Sequence, residues 1–261
     1  MAGCRCEAGD DSEGDHVFHE AFRVDTTQLS PRAKATTAAR TLNFDSRHRD
    51  AEMTPARLPR GGLYAITDGP RADLIEACAA AIEGGAAMLQ YRDKTRDSAR
   101  RRDEAQALAA LCARRDVPLI VNDDVELAAS VGAGVHLGED DGDIAHARRR
   151  LGESAIIGAS CYDSLDRARA LAAADADYLA FGAFFASPTK PNARVATPQL
   201  LREAKSLGVP LVAIGGITPE NGATLIDAGA DFLAVISAVF GAADVREAAR
   251  WFATLFGPTH S

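Results

Sequence analysis

Three polar clusters in this 261-residue chain hold residue types that act together on phosphorylated ligands. In QYRDK, Gln90, Arg92 and Lys94 alternate, so an extended backbone turns all three to one side. Asn122, Asp123 and Asp124 close one apolar run, and Glu139, Asp140 and Asp141 close the next. A third cluster follows the apolar stretch Tyr178 to Gly182 and contains Ser187, Thr189 and Lys190. Hydroxyls, free backbone N–H groups and one cation in a small-residue loop are what a phosphate needs.

Acidic residues at the ends of neighbouring strands repel unless they share a cation. All-oxygen ligands completed by water favour Mg2+. Asp124 and Asp140 read as helix N-caps, which leaves Asp123 and Asp141 as the metal pair. Arg92, Lys94 and Lys190 share the same face, and a metal-bound diphosphate would neutralise their charge. Gly215 and Gly216 with Ile236 and Ser237 mark a separate region. Its backbone N–H groups suit a second phosphate, although a double glycine also serves turn geometry alone. Two anion sites on one face imply two phosphorylated substrates and a transferase. His136 reads as an interior residue rather than a general base, and Cys161 and Tyr162 read as packing.

The elements that must position these groups repeat from Gly62 onward. Apolar runs at 62–67, 88–92, 118–123, 134–138, 155–160, 178–182, 210–216 and 232–237 each precede a helical pattern. The helices are expected near 72–83, 97–114, 125–131, 142–151, 165–173, 198–207, 219–228 and 245–256. Strict alternation implies a parallel sheet with right-handed crossovers. Eight such units predict an α/β fold that closes as a (β/α)8 TIM barrel over residues 59–261. A doubly wound open sheet is the rival, but neither G-x-G-x-x-G nor a Walker A pattern occurs.

Residues 1–58 lack sustained apolar periodicity and read as a largely disordered N-terminal extension, with Met53 a candidate start. Cys4, Cys6, His16 and His19 fit no common zinc spacing. The formal net charge of −8 argues against nucleic acid or a membrane surface as partner. No apolar run approaches a membrane span. Five cysteines without a C-x-x-C pair read as reduced thiols in a cytoplasmic protein.

Taken together, QYRDK, IVNDD, GVHLGEDD, the GAS after strand 5, the SPTK loop, AIGGI and AVIS resemble the thiamine phosphate synthase family in order and approximate spacing, over about residues 62 to 240. The resemblance implies an Mg2+-dependent transferase that joins 4-amino-5-hydroxymethyl-2-methylpyrimidine diphosphate to hydroxyethyl-methylthiazole phosphate. Thiamine phosphate and pyrophosphate would be the products. It further implies that Gln90, Arg92, Lys94, Asn122, Ser160 and Lys190 bind the pyrimidine diphosphate, with Arg92, Lys94, Ser160 and Lys190 catalytic. Asp123 and Asp141 would bind the metal. Ser187, Thr189, Gly216, Ile236 and Ser237 would hold the thiazole phosphate. The loop departs from the family's G-P-x-F-P-T-x-T-K, carrying Ala183, Ala186 and Ser187 at the Pro, Pro and first Thr positions. Three other readings compete: a thiazole tautomerase on the same barrel, with His136 as acid/base, a non-catalytic barrel that binds a phosphorylated ligand, and a Schiff-base aldolase using Lys94 or Lys190.

Overall fold

Strands that are apolar on both faces must be covered on both, and a closed barrel wrapped in helices does so without leaving an edge. The computed structural model describes residues 58–185 and 195–257, all within the unit Thr54–Ser261. Its eight strands are β1 (Gly62–Ile66), β2 (Ala86–Tyr91), β3 (Leu119–Asn122), β4 (Gly134–Leu137), β5 (Ile157–Tyr162), β6 (Tyr178–Gly182), β7 (Leu211–Ile214) and β8 (Phe232–Val235). They pair in chain order and in parallel, and β1 closes the barrel on β8. The helices are α1 (Leu74–Glu83), α2 (Ser98–Arg114), α3 (Val125–Val131), α4 (Ile144–Leu151), α5 (Leu165–Ala173), α6 (Pro198–Ala204), α7 (Pro219–Asp227), α8 (Ser237–Phe240) and α9 (Val245–Thr254).

Three local expectations need correction. The segment after β8 breaks into the short α8 and then α9, because Gly241 ends the first and Asp244 caps the second. β5 does not stop at Ser160 but runs on to Tyr162. β2 ends at Tyr91, so strand alternation places Gln90 but does not extend to Lys94.

Helix starts follow local chemistry. Asp97, Asp124, Asp143, Ser164 and Asp244 each accept a hydrogen bond from the backbone N–H three residues on. Each such cap stabilises its helix by about 1 kcal/mol. Asp124 therefore caps α3 as expected, whereas the cap of α4 is Asp143 and not Asp140.

The period of two divides the strand residues between two cores. Outward side chains such as Leu63, Leu89, Val121, Leu179 and Leu233 pack with the helices. Inward ones, including Tyr64, Ile66, Met88, Ile120, Tyr178, Val212 and Phe232, fill the barrel interior, and Leu58 packs against them. On the β5 side the interior position is Gly158. A Cβ there would lie 1.9 Å from Cζ of Tyr178, so the tyrosine ring occupies the space a side chain would take. His136 of β4 stacks on the same ring, with centroids 5.6 Å apart and planes 17° apart.

Because the ring cannot move without breaking its hydroxyl contacts, Gly158→Ala should destabilise the barrel by about 2–3 kcal/mol or more. Thermal melting should show a loss of roughly 5–10 °C relative to the parent chain. An unchanged melting temperature would contradict this packing.

Candidate active site

The carboxyl ends of all eight strands share one mouth, and the chemistry-bearing side chains are found there. Gln90 is the last interior side chain of β2 and is buried. Arg92 follows it. Its backbone is bracketed by the buried Thr67, whose Oγ1 accepts from Arg92 N–H (2.8 Å) and donates to Arg92 C=O (3.1 Å). Thr67 thus fixes where the Arg92 side chain departs from the β1–β2 rim.

On the adjoining strands, β3 ends at Asn122 and the backbone turns sharply at Asp123, which has φ 64°. Asp is one of the few non-glycine residues that tolerate this region. The Asp123 N–H donates to the His136 carbonyl on β4 (2.9 Å), which ties the turn to the neighbouring strand. Across from it, Asp141 Oδ2 accepts from Gly138 N–H (2.9 Å) and so is held by the β4–α4 turn. Burial, then the hydrogen-bonded and charged neighbour Asp141, push the Asp123 carboxyl up to about 6, and Lys94 partly opposes the shift. Asp124 takes no part in this pair, because its carboxylate caps α3 and accepts from Arg101 (3.0 Å).

Lys94, Asn122, Asp123 and Asp141 line one depression of about 660 Å3, together with Thr95, Glu126 and His146. Two adjacent carboxylates, one raised by burial and then by the other, suit a hard divalent cation. No group of three or more acidic, histidine or cysteine ligands forms among the described residues. That donor set suits a cation completed by water and ligand phosphate. A smaller hollow of about 190 Å3 lies at the amino ends of β3 to β5, and Arg150 is the only charged residue lining it.

Ser160 is the last interior residue of β5. Its Oγ contacts His136 Nε2 (2.9 Å), His136 Nδ1 contacts the Tyr178 hydroxyl (2.9 Å), and Tyr178 meets the Tyr64 hydroxyl (2.8 Å). Gln90 Nε2 donates to that same Tyr64 hydroxyl (2.6 Å). His136 is an interior residue, as expected, and burial lowers its pKa to about 4. The backbone of Ser160 is fixed by Arg167, which donates from Nε to the Ser160 carbonyl (2.7 Å) and from Nη2 to the Gly138 carbonyl (3.2 Å).

The proposed second anion site lies across the mouth, at the ends of β7 and β8. Gly215 and Gly216 have φ values of 103° and 64°. A Cβ at Gly215 would meet Ala183 Cβ at 2.4 Å, so turn geometry by itself requires a glycine there. The Gly216 carbonyl accepts from Asn221 Nδ2 (3.0 Å), whose Oδ1 accepts from Thr218 N–H (2.8 Å) and completes the cap of α7. Ile236 precedes α8 and the exposed Ser237 opens it. Ser187, Thr189 and Lys190 lie outside the described residues.

Sequence reasoning passed over several residues that shape the mouth. Tyr64 and Tyr178 are polar tips at inward positions of apolar strands, and a buried tyrosine hydroxyl normally seeks a partner. Arg71 after β1 donates to the Phe240 carbonyl (2.8 Å) and lies over the Phe240 ring (5.9 Å), anchoring α8. Tyr162 is not simple packing. It sits half-exposed at φ 57°, its hydroxyl accepts from Glu139 N–H (3.3 Å), and Arg167 lies over its ring. Cys161 is buried, as expected.

Comparison with known proteins fits this geometry. The chain is 56% identical over 200 residues to a protein named thiamine-phosphate synthase from Thiobacillus denitrificans, covering 75% of this chain and 95% of that one. A protein of the same name from Halorhodospira halophila is 54% identical over 191 residues, covering 72% and 91%. Among solved structures, thiamine phosphate pyrophosphorylase from Pyrococcus furiosus superposes with a TM-score of 0.68 at 37% identity, covering 75% of this chain and 95% of that one. The family model described as thiamine monophosphate synthase matches residues 63–239, and the chain belongs to that family.

Proposed function

We propose that the chain catalyses the thiamine-phosphate synthase reaction, transferring a pyrimidinylmethyl group from its diphosphate to the nitrogen of a thiazole phosphate. The observation that carries the reading is the convergence of Asp123, Asp141, Asn122 and Lys94 in one depression, in a chain 56% identical to a protein of that name.

In this reading Gln90 and Ser160 orient the pyrimidine ring while Asn122, Arg92, Lys94 and Lys190 hold the diphosphate. Asp123 and Asp141 would hold Mg2+, which when bound would supply charge stabilisation to the pyrophosphate leaving group. The C–O bond to the diphosphate breaks, and the electron-rich aminopyrimidine carries the resulting methylene cation. The cations of the mouth favour the state in which negative charge has moved to the leaving group. The thiazole nitrogen then forms the new C–N bond. Its phosphate is held by Ser187, Thr189, Gly216, Ile236 and Ser237, so both reactants are oriented before reaction. No protein nucleophile or general base takes part. A tautomerase would require His136 as acid/base, yet both of its ring nitrogens are engaged by Tyr178 and Ser160 and burial holds it neutral.

Mixing both substrates with the chain should release pyrophosphate only when Mg2+ is present. A barrel that merely binds ligand would release none. Asp123→Ala and Lys190→Ala should each lower turnover by about a hundredfold or more while leaving the far-ultraviolet circular dichroism unchanged. Near-parental rates in both variants would overturn the assignment.

Asp123 also predicts a pH effect. Its folded pKa is raised, so the folded chain binds that proton more tightly than the unfolded chain, and stability falls as pH rises from about 4 through 6. Asp123→Asn should therefore raise the melting temperature of the metal-free protein at pH 7.5 but not at pH 4. Added Mg2+ should stabilise the parent chain and leave the variant unmoved.

A further inference from the structure

Five side chains from five strands form one hydrogen-bonded line across the barrel interior: Gln90 (β2), Tyr64 (β1), Tyr178 (β6), His136 (β4) and Ser160 (β5). The two middle contacts, Tyr64–Tyr178 and Tyr178–His136, each join strands that are not neighbours in the sheet. Its two ends are the side chains that the proposed function assigns to the pyrimidine ring, and the inference rests on that reading.

Hydrogen counting fixes a single sense for the whole line. Burial pushes both phenols well above their ordinary range, so each keeps its one hydrogen. His136 is neutral and carries one proton on its ring. Gln90 Nε2 donates to Tyr64, so Tyr64 must spend its hydrogen on Tyr178, and Tyr178 on His136 Nδ1. The ring proton is then on Nε2 and is donated to Ser160 Oγ. The Ser160 hydrogen is thereby released toward the mouth as a donor, while Gln90 presents its Oε1 as an acceptor. Turning the Gln90 amide over would reverse every member in turn. With the Gln90 amide oxygen and the Ser160 hydrogen turned to the mouth, the two ends offer one acceptor and one donor, and in the reversed sense these roles exchange.

We propose that Tyr178, with Tyr64 and His136, is a positioning relay that sets the hydrogen-bonding sense of Gln90 and Ser160 toward a heteroaromatic ring presenting one donor and one acceptor. An aminopyrimidine edge has that pattern, with its amino group as donor and a ring nitrogen as acceptor. Tyr178 touches no reacting atom. It makes recognition at one end conditional on recognition at the other.

The relay is tested on the full chain in two ways. In the 15N spectrum of the parent protein, His136, identified through its backbone couplings, should be the Nε2–H tautomer. An average of the two tautomers, which would leave the line without one sense, overturns the relay without reference to any variant, whereas a pure Nδ1–H tautomer marks the reversed line with the Gln90 amide turned over. In kinetics, Tyr178→Phe keeps the ring over Gly158 but cuts the line. It should raise KM for the pyrimidine diphosphate about tenfold, the worth of one buried hydrogen bond, and leave KM for the thiazole phosphate within about twofold. Gln90→Leu and Ser160→Ala should be non-additive in kcat/KM by about fivefold in the parent background and additive in Tyr178→Phe. Additive effects in both backgrounds, or equal loss for both substrates, would show Tyr178 to be structural only. A parent chain that turns over neither substrate overturns the proposed function and the relay together. Turnover with an unchanged Tyr178→Phe variant overturns the relay alone.

Discussion

A closed parallel sheet leaves each strand residue two destinations, the barrel interior or the helical layer, and successive residues alternate between them. That alternation governs everything at the mouth of this barrel. Apart from Ala86 at the start of β2 and Tyr162 at the end of β5, where the register shifts, even-numbered strand positions turn inward, so Gln90, His136, Ser160 and Tyr178 point into the same space although they are far apart in sequence. A slip of one residue on any strand would move these polar groups against the helices and leave their hydrogen bonds unmade. The parallel sense of the strands then gathers their carboxyl ends at one rim, and the acidic turns after β3 and β4 become neighbours because those strands pair directly.

Much of this arrangement could be read from the chain alone. Eight apolar runs alternating with helical patterns are a long-range signal, and such signals survive local ambiguity. The same logic located Asp123 and Asp141, since a strand end has few places to go. What escaped was three-dimensional by nature. The Tyr64–Tyr178 bond spans 114 residues and joins opposite walls of the barrel, and no spacing rule announces it. Asp143 rather than Asp140 capping α4 depends on how the six residues between β4 and α4 are laid out. The position of Lys94 was expected from strand alternation, but β2 ends at Tyr91 and the loop brings the lysine to the depression by another route.

The site balances unlike demands. In its acidic half, burial and then the neighbouring Asp141 make the Asp123 carboxyl resist ionisation. Its interior half buries four hydrogen-bonding side chains, and each would be costly if left unpaired. They are paired with one another instead, so the interior is polar along one line and apolar elsewhere. Chains of this kind polarise along their length and are most sensitive to removal of a middle member.

Arg167 bears on how these halves keep their spacing. One guanidinium spans the carbonyls of Ser160 and Gly138, and Gly138 in turn donates its N–H to Asp141. Hydroxyl and carboxylate are thereby mounted on a common bracket. A change at this position would alter the spacing of hydroxyl and carboxylate in a single step, so one half-buried arginine on α5 sets the gauge of the mouth.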